Sequence, residues 1–178
     1  SMQMLGTRGC PYKCTFCSSP QMWTTKYVVR EPDDVVDEIA DYVDRYGIQN
    51  VNFVDLTAAT NRKWTLGLCD ALDERGLDLT WQLPVGTRIE AIDREVLERI
   101  YETFPHARFI WIVRNPGSVT RSLENMPMAE VMLTGYPGGP RDVWVTSNQR
   151  LKSFLAGVPE DRWAVVQYEK LVTDPESQ

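Results

Sequence analysis

Apolar positions recur along this chain with two alternating periods. In residues 31–47, "EPDDVVDEIADYVDRYG", Val35, Ile39, Val43 and Tyr46 share one face at helical spacing. Pro32 and the acids after it suit a first turn, and Gly47 suits a left-handed stop. Asn61 is placed to cap a second helix through Arg75, with Trp64, Leu68 and Leu72 inward and Gly76 at its end. Asp93 caps a shorter one carrying Val96, Leu97 and Ile100. Between these helices, 3–7, 50–56 and 79–85 are short apolar runs that read as strands.

The second part continues the alternation. Residues 107–116, "ARFIWIVRNP", form the most hydrophobic strand pattern in the chain. A helix follows from Ser118 to about Met132, with Pro127 as a kink or break. The turn-rich 134–140 is a loop, 141–157 a helix ending at Gly157, and 162–171 a final strand. Strands separated by helices pair in parallel through right-handed crossovers. The pattern therefore predicts an α/β fold: one parallel sheet of about five strands flanked by helices.

Composition narrows the function classes. A chain of 178 residues, 43% of them hydrophobic, builds one compact domain with a real core and is short for two. A net charge of −6 and a pI near 4.9 argue against nonspecific nucleic-acid binding, which wants a basic face. No apolar run approaches the ~20 residues of a membrane helix, so no membrane partner is expected. The opening Ser1-Met2 has no signal-peptide pattern and reads as the remnant of an expression tag. Four cysteines without an export signal point to a reducing, cytoplasmic compartment, where clustered thiols bind metal or react. None of this specifies a substrate or an oligomeric state.

Three of the four cysteines crowd into "RGCPYKCTFC", from Arg8 to Cys17. The spacing Cys10-x3-Cys14-x2-Cys17 puts three thiols on one loop. Three thiolates hold three corners of an iron–sulfur cube and leave the last iron open to a small molecule. Structural zinc wants four ligands, usually in two separated pairs. Cys69 falls inside a helix pattern, where a small buried hydrophobe is the plainer reading, and the single histidine, His106, is far along the chain. A zinc fragment or unliganded reduced thiols remain alternatives for the same cysteine count.

"GCPYKCTFC" resembles the cluster loop of the radical S-adenosylmethionine (radical SAM) superfamily, with an aromatic, Phe16, before the last cysteine. The resemblance implies a 4Fe–4S cluster at Cys10, Cys14 and Cys17, S-adenosylmethionine chelated at the open iron, and Phe16 near its adenine. An electron from the cluster would then cleave the sulfonium to a 5′-deoxyadenosyl radical. It also implies that the loop lies at the C-terminal end of a parallel barrel. "VNFVDLTAATNRKW" resembles the second strand of the branch that often carries a cobalamin domain upstream, which implies Asp55 as a contact to the SAM amino group. "VGTRIEAIDREVLERIYE" resembles that branch's third strand and helix, with Arg88 as a cofactor or substrate contact. The plainer alternatives are a turn residue for Asp55 and a solvated charge for Arg88.

After residue 103 the chain changes character. "FPHARFIWIVRNPGSVTRSLENM" resembles the sulfotransferases that use 3′-phosphoadenosine 5′-phosphosulfate (PAPS): a hydrophobic strand, then Arg114-Asn115-Pro116, then Ser122. The resemblance implies that Arg114 and Ser122 hold the 3′-phosphate. A guanidinium and a hydroxyl at a strand mouth and helix start suit such a group. "VWVTSNQRLKSFL" and "WAVVQYEKLVTDPE" resemble the later helix and the strand with Tyr-Glu-x-Leu. As alternatives, Arg114 pairs with Glu169 or Asp174, and Ser122 is an ordinary helix residue. His106 reads as a surface loop residue; Trp111, Trp144 and Trp163 read as packing.

Both resemblances are fragments. No phosphosulfate loop precedes residue 104, no catalytic residue can be identified, and the first part holds only three strand–helix units. The expected organisation is a radical-SAM-like (βα)3 segment over 1–103, then sulfotransferase-like βα elements over 104–178, packed as one composite domain. A natural fusion, a recombinant splice and a mis-assembled reading frame would each give this pattern. The leading functional expectation is a radical SAM-type module with a 4Fe–4S cluster and S-adenosylmethionine. A 3′-phosphoadenosine-nucleotide module is the alternative, and an inactive chimeric or truncated scaffold is the third.

Overall fold

A computed structural model of the chain describes residues 1–14, 16–88, 92–126 and 133–177. The chain divides into two compact units, Ser1–Phe104 and Pro105–Gln178.

The first unit runs β1 (Met2–Met4), β2 (Thr7–Arg8), α1 (Ser19–Trp23), β3 (Val28–Val29), α2 (Pro32–Tyr46), β4 (Asn50–Phe53), α3 (Arg62–Arg75), β5 (Thr80–Gln82) and α4 (Arg94–Thr103). Three strands form a parallel sheet in the order β1-β4-β5, with Met2 opposite Val51 and Val51 opposite Trp81. Strands β2 and β3 pair antiparallel, Thr7 with Val29 and Arg8 with Val28.

Local signals set the helix ends. Asn61 accepts a hydrogen bond from the Trp64 backbone N–H at 3.0 Å, and Asp93 accepts one from Val96 at 2.9 Å. Gly47 and Gly76 close α2 and α3 at φ of 59° and 60°. The helices then bury one face each. Val35, Val36 and Ile39 of α2 and Trp64, Leu68 and Leu72 of α3 pack with Met4, Val51 and Phe53 of the sheet. Full burial of each aliphatic side chain is worth about 1.5–3 kcal/mol before entropy is charged against it. Ion pairs brace the outside: Arg99 on α4 reaches Asp70 at 2.8 Å and Asp73 at 2.6 Å on α3.

The second unit runs β6 (Phe109–Val113), α5 (Pro116–Glu124), α6 (Gly139–Leu155), β7 (Trp163–Gln167) and α7 (Tyr168–Thr173), with 3-10 turns at Glu160–Arg162 and Pro175–Ser177. β6 and β7 pair in parallel from Phe109–Trp163 to Val113–Gln167. Helix α6 covers one face of the pair. Phe154 meets Phe109 edge-on at 5.1 Å, and Asn148 accepts a hydrogen bond from the Trp111 indole at 3.0 Å. The opposite face carries Ile110 and Ile112, which are 72% and 59% exposed.

The α/β class and parallel pairing hold, but the single sheet of about five strands does not. Among the described residues the largest sheet has three strands, and β6–β7 is a separate pair. Run 79–85 pairs only over Thr80–Gln82 before it turns at Pro84, which lacks a ladder donor. Run 162–171 is strand to Gln167 and then helix, because "YEKLVT" folds back on itself with Thr173 donating to the Glu169 carbonyl at 2.9 Å. The helix expected from Ser118 starts at Pro116, with Asn115 as its cap; the rest of that expectation, 127–132, lies outside the described residues. The helix expected to end at Gly157 ends at Leu155. Among the described residues no helix is long and apolar enough to cross a membrane.

One clasp in the first unit is sensitive to acid. Arg30 donates to Glu38 at 2.6 Å and to the Leu5 carbonyl at 3.1 Å, while its own carbonyl accepts the Trp64 indole N–H at 2.7 Å. The Arg30 hydrogen bond holds the Glu38 carboxyl below the usual glutamate range, aided by Tyr42. A depressed folded value means stability present above the unfolded value and lost as pH falls through the folded one. Glu38→Gln is expected to flatten that acid limb, read by urea melts of both proteins at a series of acidic pH values.

Candidate functional site

The C-terminal ends of β1, β4 and β5 converge on the cysteine loop. After β1 the chain passes through Gly6 and Thr7 and enters residues 9–27, whose two ends are held together by the β2–β3 pairing. Gly9 opens the loop at φ 81°, and a Cβ there would lie 2.0 Å from the Lys26 carbonyl oxygen. Only glycine fits this crossing. Within the loop, the Cys17 N–H donates to the Cys14 carbonyl at 3.0 Å, which makes a tight turn between the second and third thiols.

Three side chains from the later strands reach this loop or its root. Asp55, just beyond β4, is 1% exposed. Its carboxylate accepts the Gly6 N–H at 3.3 Å and both the backbone N–H and the hydroxyl of Thr7. Thr57 donates its hydroxyl to the Cys10 sulfur at 3.0 Å. Arg88, beyond β5, stacks its guanidinium over the Tyr12 ring at 4.1 Å, a cation–π contact between Cys10 and Cys14 in sequence. A backbone bridge joins Ala58 to Thr87, and the Thr87 hydroxyl donates to the Ala58 carbonyl. The strand ends are thus laced to one another as well as to the loop.

The thiols differ sharply in setting. Cys10 and Cys14 are half-buried, Cys17 is exposed, and all are free. Two of the three sulfurs already accept hydrogen bonds: Cys10 from Thr57, and Cys17 from the Ser19 N–H at 3.4 Å. Cys69 instead lies buried among Val96 and Ile100, and burial pushes its thiol up. The loop thiols therefore fit a thiolate-held cluster in number, spacing, access and hydrogen bonding. As placed, no three His, Cys, Asp or Glu side chains among the described residues share one metal-holding point. Phe16, beside the last thiol, is 89% exposed.

A second constellation forms in the other unit, where β6 and β7 end side by side. The Arg114 guanidinium lies 4.8 Å from the Tyr168 ring centre, and its carbonyl accepts the Trp144 indole N–H at 3.0 Å. Asn115 caps α5 by accepting from Ser118 at 3.2 Å, and its own N–H donates to Glu169 at 2.9 Å. That bond, then the Glu169 N–H and the nearby Arg114 charge, hold the Glu169 carboxyl below its usual range. The Arg-Asn-Pro turn and the Tyr-Glu pair thus meet. Ser122 is exposed on α5. His106 is exposed, with Arg162 3.5 Å from its ring nitrogen. Trp111, Trp144 and Trp163 are half-buried with their indole N–H groups engaged.

Sequence reasoning singled out Asp55, Arg88 and the cysteines but passed over Thr57, Thr7 and Tyr12. Thr57 falls two residues past Asp55 at the strand end, and its side chain faces the loop. Tyr12 is an aromatic between two thiols in the sequence, and its partner comes from a distant strand end.

A family model for the radical SAM superfamily matches residues 4–110, and one for the sulfotransferase family matches 94–178. The anaerobic magnesium-protoporphyrin IX monomethyl ester cyclase of Cereibacter sphaeroides is 35% identical over 88 residues, 49% of this chain and 14% of that protein. The cytidylyl-2-hydroxyethylphosphonate methyltransferase of Streptomyces wedmorensis is 34% identical over 101 residues, 57% of this chain and 18% of that protein. The chain thus spans less than a fifth of the length of these two curated relatives. Among solved structures, a sulfotransferase domain from the curacin biosynthetic pathway superposes with a TM-score of 0.44 at 24% identity, covering 60% of this chain and 40% of that one.

The Asp55 carboxylate is the tether that a single substitution removes most cleanly. Asp55→Ala strands buried N–H donors of Gly6 and Thr7, so it is expected to cost roughly 1–3 kcal/mol in chemical denaturation. It is also expected to speed limited proteolysis within residues 9–27, because the loop loses its fixed root.

Proposed function

The chain belongs to the radical SAM superfamily, and from that premise we propose that its first unit binds a 4Fe–4S cluster through Cys10, Cys14 and Cys17 and offers the open iron to S-adenosylmethionine. The observation that carries this reading is three free thiols on one loop at the C-terminal ends of parallel strands, two of them accepting hydrogen bonds. When bound, the cluster supplies an electron for reductive cleavage of the sulfonium. The chain's own residues bind and orient. Asp55 fixes the backbone that enters the loop, and with both oxygens engaged it acts as a positioning residue. Arg88 holds Tyr12 and so steadies the segment between Cys10 and Cys14. Phe16 offers an exposed ring beside Cys17 for the adenine to stack on. Cys10, Cys14 and Cys17 would hold the iron, and the bond from the Cys17 N–H to the Cys14 carbonyl keeps the segment between the second and third thiols tightly turned.

Anaerobic reconstitution of the wild-type chain is expected to give a brown protein with about four irons, in line with the cluster type. The triple Cys10→Ala, Cys14→Ala, Cys17→Ala variant is expected to stay colourless, and Cys69→Ala to load as wild type. A colourless wild type, zinc in place of iron, or iron retained by the triple variant would each overturn the reading.

A second reading concerns the other unit and rests on the meeting of Arg114 with the end of β7. A guanidinium beside the capped start of α5 is a site for the 3′-phosphate of a phosphoadenosine nucleotide such as PAPS, with Ser122 on the same helix. Calorimetry with adenosine 3′,5′-diphosphate is expected to show binding that Arg114→Ala weakens at least tenfold. Equal heats from both proteins would remove this reading and leave the radical SAM reading untouched.

A further inference from the structure

The hydroxyl of Thr57 meets the Cys10 sulfur at 3.0 Å. Thr57 is 4% exposed, so water does not compete for this donor. Its backbone is held on both sides. Asp55 grips Gly6 and Thr7, Ala58 bridges to Thr87, and the Thr57 carbonyl accepts the Thr60 hydroxyl at 3.4 Å. The hydroxyl is therefore aimed by the fold at a thiol that comes from the first strand's end.

Resting on the cluster assignment above, we propose that Thr57 is a positioning residue for the cluster, donating a hydrogen bond to the Cys10 thiolate that orients this ligand and sets the cluster's reduction potential. A hydrogen bond to a ligating sulfur withdraws charge from it. The reduced cluster carries one more negative charge than the oxidised one and gains more from the donor. The potential therefore rises with the bond and falls without it. The Cys17 sulfur takes its hydrogen bond from a backbone N–H, whereas Cys10 depends on a side chain that one substitution can alter.

The test compares wild type, Thr57→Val and Thr57→Ser after anaerobic reconstitution, by spectroelectrochemical titration with redox mediators and dithionite as reductant. Thr57→Val keeps the shape of the side chain and loses its donor; Thr57→Ser keeps the donor. The expected result is a midpoint shifted to more negative potential in Thr57→Val and restored to the wild-type value in Thr57→Ser. Should the valine variant fail to fold by circular dichroism, Thr57→Ala replaces it with the same expectation. Potentials equal in all loaded variants would overturn this assignment while leaving the cluster reading in place. A wild type that takes up no iron overturns both.

Discussion

Asp55 carries a carboxylate into the interior of the first unit, where donors from Gly6 and Thr7 meet it. A buried polar group without partners is costly, so the carboxylate and its donors stabilise one another. It links the end of β4 to the segment leaving β1. That segment leads within three residues to Cys10, and the β4 side leads within two residues to Thr57. The position of the first thiol and of its hydroxyl partner are thus both referred to one carboxylate. Gly6 shows how tightly this root is packed: a Cβ there would lie 2.4 Å from the Trp64 ring, whose indole is in turn tied to Arg30.

What the chain reveals by itself is what local chemistry decides. The helices starting after Asn61 and Asp93, and those ending at Gly47 and Gly76, are visible because a cap is a matter of a few adjacent residues. The short pairing of β2 with β3 and the five-residue helix α1 have no such marker, being too brief to show a period. The switch at Tyr168 is invisible for a related reason: "VVQYEKLV" satisfies either period, and the partners decide. The cysteine spacing can be read directly. The surroundings of those cysteines cannot, because Thr57 lies 47 residues from Cys10 in sequence and meets it only when β4 docks on β1.

The two units tell unequal stories. The first has a sheet of three strands with a cluster of buried side chains against it, and the family model extends over it. The second has two parallel strands, of which one face is dressed by α6 and the other leaves Ile110 and Ile112 open. Parallel sheets are ordinarily covered on both faces. The two family models overlap over 94–110, which spans α4 and the start of β6. The stretch passes from helix to strand, and the division between the compact units at Phe104 falls inside it.

The β2–β3 pairing makes residues 9–27 a ring rather than an open strand. A ring whose ends already touch has met its closure cost before any ligand arrives. Closure entropy then grows only as the logarithm of contour length, so even doubling the whole loop would add just ~0.6 kcal/mol, and lengthening only its return path adds less. The thiol-bearing arc through Ser19 and the return arc beyond it are therefore separable in design. Sequence inserted beyond Ser19 lengthens that arc while leaving in place the Ser19 N–H that meets Cys17 and the turn between Cys14 and Cys17.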